Sequence, residues 1–272
     1  MNNKKTIHGF TILILWLSLL FITCPVKAEW TLTHEEDFSK CNKLDTSFWR
    51  LETGFMRNQE AQYYTPKNVS VREGKLVIEA RLERVKNINY TNNKKDWRRK
   101  VKEALFTSGS LVSREPLLYG RVEVVARIPS GMGIWPTIWL LGENNDQYGE
   151  IDIMEAVGSQ PESVFTTVHF GIPGENLENK QVITHIVNTE PAWHAYRVDW
   201  LKDSIEVFID GRKILSIDPE VARKGGVDPL RQQMFMRLNL ALGGSWAGLI
   251  DPSVFPARFE IYSIKVWQWR DR

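Results

Sequence analysis

The stretch GEIDIMEAVG, residues 149–158, carries three carboxylates in close succession: Glu150, Asp152 and Glu155. Side chains two apart on a strand share a face, so Glu150 and Asp152 point the same way. Glu155 has the opposite parity and would fall among Ile151 and Ile153, where an unpaired charge is costly to bury. A β-bulge at Met154 resolves the conflict, because a bulge makes two residues count as one in the pleat. Glu155 then rejoins the acid face, and the isoleucines keep the other.

Three carboxylates on one face repel one another, so their protonation states must separate. Such a row suits a division of labour. One glutamate stays ionised as a nucleophile, the other keeps its proton as a general acid, and Asp152 holds or shares a proton between them. Retaining glycosidases need two carboxyls about 5–5.5 Å apart, and positions two pleat repeats apart supply that spacing when their side chains converge. Two blander readings compete: a solvent-facing row of acids, and a site for a hard cation such as calcium.

The surroundings favour the first reading. In GIWPTIWLLG, residues 133–142, Trp135, Thr137 and Trp139 share one strand face, while Ile134, Ile138 and Leu140 share the other. Indole rings with a polar edge suit sugars, which present C–H faces and hydroxyl rims, although paired tryptophans are equally often plain core. His169 in TTVHFG is placed to hydrogen-bond a carboxylate, its alternative being a structural histidine. Trp246 lies in the glycine-rich LGGSWAG, which would expose it at a groove end. In NQEAQYY, residues 58–64, Asn58, Glu60 and Gln62 recur at period two, a polar face able to grip hydroxyls.

The elements that must position these groups read as strands. From Trp30 onward apolar and polar residues alternate, interrupted by Gly, Asn and Asp at short intervals, which predicts an all-β sandwich or barrel. Strands are expected over 75–82, 120–128, 134–141, 150–155, 163–170, 194–201, 204–211, 234–242 and 259–267, with hairpin turns at Lys202-Asp203 and Asp210-Gly211. The segment 84–104 departs from this pattern, with eight Lys/Arg and two acids. It reads as a solvated loop or as a basic lip beside a groove, with a short helix near Trp97.

The 272 residues suit one large domain. Residues 1–28 read as a secretory signal peptide: Lys4 and Lys5, an apolar run over 10–22, and the small Ala28 as the cleavage point. The alternatives are an uncleaved anchor and a lipid attached at Cys24. Removing this leader takes three lysines and no acid, leaving 32 basic against 33 acidic residues in 29–272. That near-neutral balance argues against nucleic acid and anionic membrane as partners. Cys41 is then the single cysteine, so no intrachain disulfide and no cysteine metal framework is expected.

Taken together, NQEAQYYT, GRVEVVARIPSGMGIWPTIWLLG, GEIDIMEAVG, TTVHFG, WHAYRVDW with IEVFIDG, and NLALGGSWAG resemble glycoside hydrolase family 16. The resemblance is to its laminarinase-like, endo-β-1,3-glucanase branch, and it runs in order from about Trp30 to the end. It implies a β-jelly-roll sandwich of two antiparallel sheets with a concave substrate cleft. It also implies that Glu150 is the nucleophile, Asp152 the assisting acid and Glu155 the acid/base of a retaining mechanism. Trp135, Trp139 and Trp246 match aromatic subsites, and Asn58, Glu60 and Arg114 match polar groups of the glycone side. The lichenase and xyloglucan transglycosylase branches lack the extra strand residue.

The resemblance implies a polysaccharide substrate, no required cofactor and a monomer, while the leader implies a periplasmic or secreted location. Many relatives hold a structural calcium through an Asp of their last strand; Tyr262 stands at that position here. The expected substrate is β-1,3-glucan or mixed-linkage β-glucan. The alternatives are an algal galactan (agar, porphyran or carrageenan), transglycosylation, and non-catalytic β-glucan binding.

Overall fold

The computed structural model describes residues 29–91, 95–186 and 192–270. The leader, Cys24 and the cleavage point after Ala28 lie outside these residues. The strands in chain order are β1 (Glu29–Asp37), β2 (Trp49–Leu51), β3 (Gln62–Tyr64), β4 (Val69–Arg72), β5 (Lys75–Lys86) and β6 (Glu103–Ser108). Next come β7 (Ser110–Ser113), β8 (Gly120–Arg127), β9 (Ile134–Gly142), β10 (Tyr148–Glu155), β11 (Ser163–Gly171) and β12 (Glu178–His185). The chain closes with β13 (His194–Trp200), β14 (Ile205–Ile209), β15 (Arg212–Ile217), β16 (Met234–Leu242) and β17 (Ala257–Arg270).

These strands form the expected β-jelly-roll sandwich. One sheet runs β15-β14-β13-β8-β17-β5-β6-β3, with β1 on β17 and β4 on β5; the other runs β12-β11-β10-β9-β16-β7-β2. Neighbours are antiparallel, apart from the parallel pair β3 and β6. Val122, Val124 and Ala126 of β8 face Ile134, Ile138 and Leu140 of β9 and Met236, Leu238 and Leu240 of β16 in one buried cluster. Each such aliphatic side chain contributes about 1.5–3 kcal/mol by leaving water. The alternation that buries these residues sends their neighbours outward, and on β9 those neighbours are Trp135, Thr137 and Trp139.

Turn chemistry follows the sequence closely at the tightest hairpin. Asp210 and Gly211 both have positive φ, 51° and 77°, as a two-residue type I′ turn requires. At the other expected turn, the Leu201 amide donates to the Ser204 carbonyl at 2.7 Å. The basic segment is a hairpin rather than a long loop: β5 continues to Lys86 and pairs with β6. Among its described residues the tip holds a 3-10 turn, Trp97–Arg99, and Trp97 packs on Phe55 with ring centroids 5.9 Å apart. The described residues of 84–104 lie off the cleft, so the basic-lip reading gains no support. Strand β12 was not expected. It is a largely exposed edge strand, so its sequence lacks the apolar alternation that burial would impose.

The bulge lies where parity demands it. Along β9, Asp152 pairs with Trp139 and Met154 with Ile138, while along β11 Asp152 pairs with Thr167 and Glu155 with Phe165. The residue without a partner on β9 is therefore Ile153, not Met154, a one-residue correction that leaves the parity argument intact. Both are fully buried, because two consecutive apolar side chains turn into the core at the bulge.

Gly149 sets the position of the strand. A Cβ there would lie 2.0 Å from the Pro229 carbonyl oxygen. Backbone meets backbone at this point, with no flexible side chain to yield. Gly149→Ala is expected to destabilise the fold by about 1–3 kcal/mol through overpacking, read as a lower urea midpoint at unchanged m-value.

Candidate active site

The outer face of the seven-stranded sheet carries a cleft of about 540 Å³. Strand β9 contributes Trp135, Thr137, Trp139 and Leu141; β10 contributes Tyr148, Glu150, Asp152 and Glu155. His169, Asn239 and Trp246 also line it, as do Asn58 and Glu60, which lie beside the Trp246 loop: the Ser245 amide donates to the Asn58 carbonyl at 3.1 Å. Nearly every expected site residue is thus brought to one place. The pleat does most of this, because the cleft residues of β9 recur strictly at period two.

Within the cleft the three acids are far from equivalent. Asp152 is 1% exposed, and burial, then the charges of Glu150 and Glu155, push its carboxyl well above the usual range. Its Oδ2 has no hydrogen-bond partner; His169 Nε2 is 3.4 Å away, opposite Glu150 in the ladder. Glu155 is pushed up to about 8, by burial first and the Glu150 charge second, while the Trp135 indole opposes the shift. That indole donates from Nε1 to Glu155 Oε1 at 3.0 Å. Glu150 is the most open of the three and accepts a hydrogen bond on Oε2 from the Tyr148 hydroxyl.

Asp152 and Glu155 thus both hold their protons more tightly than ordinary carboxylates do. Glu150, Asp152 and His169 offer ligand atoms within 4.8 Å of one another. Three donors leave most of the six to eight oxygens of a hard cation unfilled. The same closeness is well suited to proton sharing between Asp152 and Glu150.

The aromatic residues divide into floor and wall. Trp135 and Trp139 expose only 8% and 6% of their surface, so they form the cleft floor rather than free-standing platforms. Trp246, half-buried, meets the Trp135 ring at 5.3 Å and the Phe165 ring at 4.9 Å, both edge to face. Trp139 Nε1 donates to Asn239 Oδ1 at 2.8 Å. The guanidinium carbons of Arg57 and Arg237 each lie 5.3 Å from the Trp139 ring centroid. Glu52 ties these arginines together, accepting from Arg57 Nη1 at 3.0 Å and from Arg237 Nη1 at 3.3 Å.

Two expectations fail here. Arg114 does not line the cleft: it is exposed just beyond β7, and its Nε donates to the Thr46 carbonyl at 2.8 Å. Arg57 is the arginine that does line it. Gln62 is also spent internally, donating to Glu60 Oε2 at 2.6 Å and accepting from the Leu242 amide at 2.8 Å. The period-two reading breaks because Asn58 and Gln59 have positive φ, so the chain turns before β3 begins. Glu60 keeps its place, and burial pushes its carboxyl up against the opposing influence of Arg57, Gln62, Tyr64 and Asn58.

Residues unassigned from the sequence also reach the cleft. Tyr148 and Leu141 were legible, being in phase with Glu150 and Trp139. Asn239 depends on the register that pairs it with Thr137, which no local pattern reveals. Gln181 arrives with β12, and Leu177 is the residue just before that strand.

The family model for Glycosyl hydrolases family 16 matches residues 57–251. A beta-glucanase of Rhodothermus marinus is 32% identical over 259 residues, covering 88% of this chain and 86% of its own. The laminarinase catalytic domain of Thermotoga maritima is 29% identical at a TM-score of 0.74, covering 88% of this chain and 98% of that one. A further solved structure belongs to work on endo-acting O-glycanases with which human gut microbiota initiate mucin breakdown. It is 32% identical at a TM-score of 0.82, covering 89% of this chain and 92% of that one. Some relatives are longer, and the chain spans 36% and 39% of two of them.

The elevated proton affinity of Glu155 has a consequence for stability. Its folded value of about 8 lies above the ordinary 4.5, so the proton's contribution is complete below pH 4.5 and is lost as pH rises through 8. Glu155→Gln cannot ionise. Urea titrations should show the variant gaining on the wild type by on the order of 4 kcal/mol between pH 4.5 and 8.

Proposed function

The chain belongs to glycosyl hydrolases family 16, and from that premise we propose that its cleft cleaves internal linkages of a β-1,3-glucan or mixed-linkage β-glucan with retention of configuration. The enzyme is a glycoside hydrolase. One observation carries the reading of its mechanism: Glu150 and Glu155 share the cleft face of a bulged strand, with the buried Asp152 between them.

Glu150 is the nucleophile in this proposal and attacks the anomeric carbon, while Glu155 delivers its proton to the departing glycosidic oxygen. A covalent glycosyl-enzyme results. Water then enters, Glu155 takes its proton, and the sugar leaves with its original configuration. Asp152 holds a proton against Glu150, limiting charge on the nucleophile when the cleft is empty. The chemistry needs only side chains. Trp246, Trp139, Asn58 and Glu60 bind the sugar rings on either side. The leader, with Lys4 and Lys5 before an apolar run, supports an extracytoplasmic location, with release after Ala28 or a lipid on Cys24.

A second substrate reading is favoured by the likeness at TM-score 0.82: the same chemistry on an O-glycan of mucin. Product analysis separates the two. Residues 29–272 are incubated with laminarin, mixed-linkage glucan, agarose, porphyran, carrageenan and mucin O-glycans, and product size and anomer are followed by NMR. Oligosaccharides from laminarin appearing first as β-anomers are expected. Products from mucin alone would move the substrate and keep the mechanism, and α-anomers would overturn the mechanism itself.

Two further outcomes are expected. Glu150→Gln and Glu155→Gln each lower hydrolysis by about 10²–10⁴-fold. The alkaline limb of kcat/KM in the wild type falls near pH 8, where Glu155 loses the proton it must donate.

A further inference from the structure

Tyr148 carries no part in the chemistry set out above, yet it touches the nucleophile. We infer that Tyr148 is a positioning residue: its hydroxyl holds Glu150 Oε2 and leaves Oε1 to attack the anomeric carbon. The inference rests on Glu150 being the nucleophile.

Three observations support it. Tyr148, Glu150 and Asp152 are successive members of one strand face, so the phenol lies alongside the acid row. The hydroxyl donates to Glu150 Oε2 inside the cleft that both residues line. Between them Gly149 is clamped against the Pro229 carbonyl, so the two side chains keep their relative place. Burial, and the Glu150 charge after it, push the phenol's proton affinity up, which keeps it a donor wherever the enzyme works.

The role is defined by what happens to each oxygen. As Oε1 bonds to the anomeric carbon, the bond to the leaving oxygen breaks, and that oxygen takes the Glu155 proton. Oε2 becomes the carbonyl oxygen of the ester and still accepts from Tyr148. In the second step water bonds to the same carbon and gives a proton to Glu155. The bond to Oε1 breaks, and its electron pair returns to the Glu150 carboxylate. Tyr148 keeps its proton throughout. A hydrogen bond to a carboxylate is stronger than one to a neutral carbonyl, so Tyr148 favours the step in which the carboxylate departs.

Tyr148→Phe removes only the hydroxyl. It is tested with the 4-nitrophenyl β-glycoside of the disaccharide that product analysis identifies, laminaribiose on the glucan reading. The expected result is a kcat lower by about tenfold to a hundredfold, with KM falling alongside. A burst of 4-nitrophenolate and a glycosyl-enzyme visible by intact mass after quenching accompany it, and the melting temperature is nearly unchanged. Wild-type kcat, a raised KM without a burst, or a collapsed fold would each overturn the inference.

A second experiment acts where the nucleophile is absent. Glu150→Ala with azide should release the α-glycosyl azide, and adding Tyr148→Phe should leave that rescued rate within about twofold, since a residue acting only through Glu150 has nothing left to position. Loss of rescue on adding Tyr148→Phe would place Tyr148 on the substrate instead and overturn the inference. Failure of the azide product in Glu150→Ala itself would unseat the nucleophile, a separate result that also removes the basis for Tyr148.

Discussion

Like charges confined to one strand face are the constraint around which this site is arranged. Asp152 and Glu155 are buried close to Glu150, and three ionised carboxylates in that space would repel one another strongly. The repulsion is relieved by keeping protons rather than by an arginine partner, since the guanidinium that lines the cleft, Arg57, is engaged with Glu52. The proposed mechanism draws on that proton retention. A glutamate that keeps its proton can give it away, and one that has lost its proton can attack. The neighbours refine this division: the Trp135 indole moderates Glu155, Tyr148 engages Glu150, and His169 stands near Asp152 without fully satisfying it.

The cations beside the cleft are balanced in a way that bears on the substrate. Burial pushes the Glu52 carboxyl up, but Arg57, Ser110 and Arg237 outweigh it and hold Glu52 below the usual range. Arg237 also reaches Glu143 at 2.5 Å. The arginines therefore stiffen the Trp139 end of the cleft rather than offering a free positive charge. A neutral sugar chain that exchanges hydroxyl hydrogen bonds fits such a surface better than a sulfated one, and the position of the basic hairpin off the cleft agrees.

Much of this was legible from the chain alone, for reasons that can be located. Period-two alternation carried β8, β9, β10 and β16 because each is buried on one face; the other face of β9, β10 and β16 meets the cleft, and that of β8 is only half-buried. The parity of Glu155 demands a bulge, although only the register with β9 shows that Ile153 rather than Met154 lacks a partner there. Asn58, Glu60 and Trp246 were found by resemblance and stand in the cleft. Arg114 and Gln62 were misplaced because their positions depend on turns: two residues with positive φ redirect the chain at 58–59, and the chain leaves β7 before Arg114. Asn239, Leu177 and Gln181 depend on strand register and on an edge strand, and short-range patterns do not encode either.

The unpaired residue at the bulge also bears on how such a gene can change. Any substitution at Ile153 or Met154 alters packing but leaves the strand with the same number of residues, so Glu155 stays in the cleft. Loss of one codon would restore a regular pleat and turn the residue at the Glu155 position toward the core, unless a second change followed. Bulged and unbulged versions of this strand are therefore separated by an insertion or deletion and not by a path of point mutations. The length of the strand is a heritable character in its own right, as decisive for lineage as the identity of the acids it carries.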